Sequence, residues 1–383
     1  MYNKFTDQQH INRHGFYTVG NKKFFNKTLA LIEASSAKLP VTWNFNQDVY
    51  GKINWSIPIE ESLEELYRKR AQQLRDQYDY LVLHFSGGAD SANILHAFVK
   101  NNIFLDEIVM QYPKNYDHVA NNTDTSGNNN YSEIPYSASI IINELKKSMH
   151  TNTVIRYQDI LEPANTVYKK DNWFELMPLG TNISITGAAR QYAQHTDPTV
   201  LELCSKGVHV AQILGVDKPL VHFNGDDYYA YFLDSNATHQ PPVDINDLYG
   251  NTNFYHCEFF YWTPAMPEIV VKQAQEIKRI AENNPAVKIA ISQHQHIGKM
   301  RDVLHPIIYP VYVKLPFQAD KISVGNVRRP ADNWFWKTAT DELKHNYLNA
   351  IKYLDQTIDQ SHFSGVDIYH GGFSSLASDY YRL

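Results

Sequence analysis

The 383-residue chain has only two cysteines, Cys204 and Cys257. That is too few for a disulfide framework or an all-cysteine zinc site, and it suits a reducing cytoplasm. Positive charge is also in short supply. Lys+Arg total 35 against 41 Asp+Glu, a net charge of −6, so no basic tail or overall positive field supports nucleic acid as a partner. No stretch approaches the roughly 18 consecutive apolar residues of a membrane helix. The opening MYNKFTDQQHINRHGF has no apolar run of the signal-peptide kind. A soluble cytoplasmic protein with no membrane partner is therefore expected. Internal repeats are absent. The segment 120–130, ANNTDTSGNNN, offers nothing to bury and reads as an exposed loop.

At roughly 100–200 residues per domain, the length suits two domains or one large domain with attachments. Residues 1–56 read as a β-rich extension, with strands at 16–19 and 24–31 flanking the turn Gly20-Asn21. After Pro58 the period changes. Leu63, Leu66, Tyr67, Arg70, Ala71, Leu74 and Tyr78 fall at helical spacing, behind a first turn rich in glutamate. Residues 80–85, YLVLHF, then form the short apolar run of a buried parallel strand. The run ends in SGGADS at 86–91. A helix is expected over 92–101, with a strand at 108–110. Strand, glycine loop, helix and strand make a βαβ unit. A second strand-to-helix turn is expected at 182–187, a hairpin around Asn224-Gly225, helices over 267–282 and 341–354, and an irregular tail over 364–383.

Residues 86–91 carry the chemistry. Gly87 and Gly88 let the backbone turn tightly and approach a ligand with no Cβ in the way. The following helix points N–H groups and its positive dipole end at the loop, which favours an anion. Ser86 and Ser91 carry hydroxyls for phosphate oxygens, and Asp90 is a hard oxygen ligand of the kind Mg²⁺ takes. The Gly-Lys-Ser/Thr ending of a Walker A loop is missing, as is the third glycine of a dinucleotide loop.

The SGGADS segment resembles the SGGxDS pyrophosphate loop of the PP-loop, or N-type, ATP pyrophosphatases, and its strand-before, helix-after context matches as well. Residues 57–115 are most similar to the cores of asparagine synthetase-like proteins and of uncharacterised phage-encoded PP-loop proteins. The resemblance implies an α/β fold with a parallel sheet, here assigned to residues 57–230, followed by a mainly helical C-terminal region at 231–383 for substrate selection or packing. It implies ATP and Mg²⁺ as cofactors. It also implies cleavage between the α and β phosphates, adenylation of a carboxylate or amide oxygen, and attack by an amine. Ser86, Gly87, Gly88, Ala89 and Ser91 would hold the pyrophosphate, and Asp90 would position the metal. Val109 and Met110 would lie beside adenine. Gly187 would add a phosphate contact, and Arg190 would stabilise charge on the leaving group. Two alternatives stay open: a PP-loop enzyme acting on a nucleobase in tRNA or DNA, and a non-catalytic ATP-binding regulatory protein.

The departures narrow the chemistry. Position 2 is Tyr, so the amino-terminal glutaminase cysteine of asparagine synthetase has no counterpart. Isolated cysteines disfavour sulfur transfer, and neither lies in the last fourteen residues, where a sulfonucleotide reductase needs one. His294, His296 and His305 lack a completing carboxylate or cysteine and read as hydrogen-bonding histidines rather than zinc ligands. Glu133 suits a helix entry, Asp217 and Lys218 a turn, and Asp226-Asp227 a hairpin tip. The aromatic runs 259–262 and 333–336 suit packing better than base stacking.

Overall fold

The structure is a computed structural model describing residues 14–113, 134–177, 179, 183–215, 218–234, 254–293, 301–310 and 332–383. Its centre is an α/β unit built on a five-stranded, all-parallel sheet in the order β10-β7-β4-β5-β6. These strands are β4 (Tyr80–His84), β5 (Glu107–Tyr112), β6 (Val154–Asp159), β7 (Val210–Leu214) and β10 (Tyr255–Phe259). Because β10 is an edge strand of this sheet, the boundary expected at 230 does not coincide with the sheet. Its sequence, YHCEF, mixes polar and apolar residues and does not announce a buried strand.

Alternation along the strands gives the sheet two unlike faces. Leu81, Leu83, Ile108, Met110, Ala211 and Ile213 are fully buried in one apolar core. This face packs under three helices: α2 (Leu63–Gln77), α3 (Ala89–Lys100) and, further along, the long helix Glu268–Asn283. Ser62 caps α2 by accepting the Glu65 N–H at 3.2 Å, with Glu64 and Glu65 in the first turn where the dipole favours acid. Arg70 lies in the buried stripe of α2, as its spacing predicts. Its guanidinium donates to Glu258 at 2.8 Å and to the Phe259 carbonyl at 2.9 Å, tying α2 to β10.

The opposite face carries His84, Glu107, Gln111, Arg156, Gln158, Gln212 and Cys257. It packs under the helices that follow α4 (Leu161–Tyr168), namely α5 (Ile185–His195) and α6 (Pro198–Ser205). Several of these polar groups pair with the helices above them or with each other. Gln158 donates to the Ala193 carbonyl at 2.8 Å and Gln111 to the Arg190 carbonyl at 3.0 Å. Arg156 bridges Glu107 and Asp197, which are both buried.

The N-terminal unit is a three-stranded antiparallel sheet of β1 (Phe16–Val19), β2 (Lys22–Phe24) and β3 (Val41–Asn44), with α1 (Lys27–Ala37) against it. The strand expected over 24–31 is therefore corrected. Asn26 accepts the N–H groups of Thr28 (2.9 Å) and Leu29 (3.3 Å) and starts a helix there. The tail expected to be irregular carries β11 (Tyr381–Arg382), which pairs with β9 (Tyr228–Tyr231) of the hairpin it forms with β8 (Leu220–Phe223). A buried ion pair joins these distant pieces. Lys27 Nζ lies 2.6 Å from Asp234, which also accepts the Tyr17 hydroxyl and the Leu376 N–H. The helices expected near 267–282 and 341–354 are α7 (Glu268–Asn283) and, after α8 (Arg301–Ile308) and α9 (Asn333–Thr338), α10 (Asp341–Thr357).

Among the described residues no helix is long and apolar enough to cross a membrane.

Candidate functional site

The SGGADS segment lies where parallel strand β4 ends and α3 begins. The helix starts at Ala89, three residues earlier than its apolar spacing predicts, so half of the motif is its first turn. Gly87 has φ +78°, and a Cβ there would stand 2.6 Å from the Ala138 backbone nitrogen. Conformation and space both demand glycine. Gly88 is the N-cap, and no side chain caps the helix. Ser86 Oγ accepts the Gly88 N–H at 3.3 Å and lies 3.4 Å from Ser91 Oγ, which donates to the Gly88 carbonyl at 3.1 Å. The Ser137 hydroxyl holds the loop from outside through the Gly87 carbonyl. Gly215, just past β7, lets that strand end approach Ser91, since a Cβ would stand 3.1 Å from the Ser91 nitrogen.

Asp90 sits in a cage of donors. Lys218 Nζ lies 3.2 Å from Oδ1, and the Tyr309 hydroxyl donates to the same oxygen. Tyr261 donates to the Asp90 carbonyl at 2.8 Å and accepts from Asn93 at 2.9 Å. Burial works against the Asp90 charge, yet Lys218, the Tyr309 hydroxyl and His305 hold its carboxyl below the usual range. Burial and the nearby carboxylate push the Tyr309 hydroxyl far up, so it stays a donor.

Beside the loop a cleft is lined by His84, Phe85, Ser86, Val109, Gln111, Ile134 and Arg190. The fold thus brings Ser86, Val109 and Arg190 together. Arg190 Nε is buried with no hydrogen-bond partner among the described residues. Met110 is not part of the cleft; alternation along β5 buries it in the apolar core on the other face.

The expected role of Gly187 is corrected. Ile183 is not in a strand, and Ser184 caps α5 by accepting the Gly187 N–H at 3.0 Å. The buried Asp332 carboxylate accepts the N–H groups of Ile185 (3.3 Å) and Thr186 (2.8 Å). This helix N-terminus already holds a carboxylate of the chain itself, so its donors are not presented to a phosphate.

Among the described residues no group of three His, Cys, Asp or Glu is placed to hold a metal. His294, His296, Glu133, Asp217, residue 182 and segment 120–130 lie outside the described residues. His305 is buried against Tyr309. Phe260, Tyr261, Trp262, Trp334 and Phe335 are core residues, as the packing reading expects. Asn224 accepts the N–H groups of Asp226 and Asp227, which sit at the hairpin tip. Both cysteines are buried, and burial pushes the Cys204 thiol up to about 11. Tyr309, His84 and Gln212 escaped sequence reasoning. The polar residues at alternate positions of β5 (Glu107, Gln111) and β6 (Arg156, Gln158) were the available signal.

No family model matches the chain, and no curated protein matches it.

Proposed function

We propose that the chain is an ATP pyrophosphatase-type enzyme of the PP-loop kind, which adenylates a carboxylate or amide oxygen and passes the activated group to an amine. The observation that carries this reading is the Ser86–Ser91 loop itself. Two glycines follow a central parallel strand, one at positive φ, and an uncapped helix start opens next to a cleft lined by Ser86, Val109 and Arg190.

In this reading Ser86, Gly87, Gly88, Ala89 and Ser91 bind the β and γ phosphates through N–H and hydroxyl donors. The acceptor oxygen attacks the α phosphorus, the α–β bond breaks, and pyrophosphate leaves. The amine then attacks the adenylated carbon and AMP departs. Arg190, in the cleft with Ser86, neutralises charge that builds on the phosphates. The single carboxylate of Asp90 fits Mg²⁺, which takes one or two carboxylates and fills its remaining positions with water and phosphate oxygens. Bound there, Mg²⁺ would neutralise phosphate charge. Lys218 keeps the Asp90 carboxylate ionised and oriented beforehand.

The test is ATP–pyrophosphate exchange against a panel of acids, amides and tRNA. Exchange that depends on one acceptor and disappears in Asp90→Asn, with unchanged circular dichroism, supports the reading. Full activity in that variant, or release of ADP and phosphate, overturns it.

A further inference from the structure

The carboxylate best suited to a metal already has a cation of the chain's own. Lys218 Nζ lies 3.2 Å from Asp90 Oδ1, the same oxygen to which the Tyr309 hydroxyl donates. Two features hold the ammonium there. Gly215 lets the end of β7 close on Asp90 and Ser91, and Lys218 follows it by three residues, just before Pro219 and β8. The Lys218 ammonium also lies 5.8 Å from the centroid of the Tyr309 ring. The Lys218 side chain is 9% exposed, whereas that of Asp90 is 30% exposed. A cation from solvent can therefore reach the carboxylate, but it meets an ammonium already seated on it. Arg190 is placed differently. It lines the cleft with Ser86, and its Nε has no hydrogen-bond partner among the described residues. Of these two cations beside the loop, Lys218 is the one that shares a carboxylate with a metal.

One carboxylate charge does not serve an ammonium and a dication equally. The ammonium that keeps Asp90 ionised also cancels its charge and repels a second cation at close range. Hydrated Mg²⁺ gives up water reluctantly and relies on phosphate oxygens as well as carboxylates. Phosphate reverses the balance, because it brings several negative charges to the first turn of α3, enough for both cations. We propose that Lys218 makes metal binding conditional on phosphate: it opposes a divalent cation at Asp90 until phosphate arrives, then shares its charge with the phosphate oxygens, so that metal and nucleotide bind together. The proposal rests on the ATP reading above. The coupling is reciprocal, so phosphate tightens the metal by the same factor as the metal tightens phosphate.

The test titrates the full chain with Mn²⁺ alone, followed by electron paramagnetic resonance, and with inorganic pyrophosphate in EDTA, followed by calorimetry. Lys218→Met is expected to bind Mn²⁺ at least about tenfold more tightly than the unmodified protein and metal-free pyrophosphate at least about threefold more weakly. Opposite signs in one variant are the signature, since a damaged loop weakens both. Adding Asp90→Asn should abolish the gain in Mn²⁺ affinity, which places the metal at Asp90. Lys218→Arg keeps the charge and should leave Mn²⁺ affinity within about threefold of the unmodified protein. The unmodified protein supplies a readout that needs no variant: Mg²⁺ should tighten pyrophosphate binding by at least about tenfold. Coupling below about twofold there, Mn²⁺ affinity that is unchanged or lower in Lys218→Met, an equal gain in Lys218→Arg, pyrophosphate affinity that does not fall in Lys218→Met, or a gain that survives Asp90→Asn overturns the role of Lys218 alone. Failure of the unmodified protein to bind both ATP and pyrophosphate, with Mg²⁺ present, overturns the ATP reading and this proposal with it.

Discussion

Beneath α2, α3 and α7 the parallel sheet presents Leu81, Leu83, Ile108, Met110, Ala211 and Ile213; beneath α5 and α6 it presents His84, Glu107, Gln111, Arg156, Gln158 and Gln212. The first face needs only volume and shape, because apolar burial has no direction. The second needs every donor matched to an acceptor, because an unmatched buried polar group is costly. Such matching holds groups in set orientations. The candidate cleft lies on this second face, where Gln111 positions Arg190 through its carbonyl and Gln212 sets the tautomer of His84.

The contrast is breakable. Arg156→Met leaves the buried Glu107 and Asp197 carboxylates without their shared cation, and is expected to lower unfolding free energy by about 3–5 kcal/mol. Replacing all three residues with apolar ones should recover most of that loss in urea titrations. A loss below about 1 kcal/mol in Arg156→Met would show that the polar layer does not act as a unit. On the apolar face, Leu83→Ala should cost about 3 kcal/mol with no rescue by any polar change, since it removes contacts and leaves a cavity.

The third effect is set by pH. Burial lowers His84 in the folded state to about 4 from the ordinary imidazole value of 6.5. The unfolded chain therefore takes up the proton first as pH falls. Stability from this group is complete above about 6.5 and is lost between there and about 4, on the order of 2 kcal/mol. His84→Leu should remove that part of the slope; an identical slope in both proteins would contradict a neutral His84. The smallest effect belongs to Gln111→Met, about 1 kcal/mol in stability, since it removes donors from Gln158 and the Arg190 carbonyl. It should weaken nucleotide binding more than Leu83→Ala does. The reverse order would place the cleft's organisation on the wrong face.

The phosphate-type loop is legible in the sequence because its requirements are local. Gly87 at positive φ, an uncapped Gly88 and two hydroxyls five residues apart all fall within one turn of chain. The helices α2, α7 and α10 were readable for the same reason, as apolar spacing over several turns. β10 was not, because its burial is imposed by α2 through Arg70 and Glu258 across nearly two hundred residues. Gly187 misled because a Ser-x-x-Gly turn before a helix looks alike whether a ligand or a distant carboxylate fills it. Asp332, outside any local window, decided the matter.

The amino-acid sequence by itself determined a cysteine-poor chain, a βαβ unit and one glycine loop able to receive an anion, because these follow from composition and near-neighbour periodicity. Tertiary structure decided the rest. It placed Lys218 and Tyr309 on Asp90, Arg190 beside Ser86, Met110 away from the cleft and Gln212 against His84. Those outcomes depend on strand register and helix packing, which bring together groups that no local pattern relates.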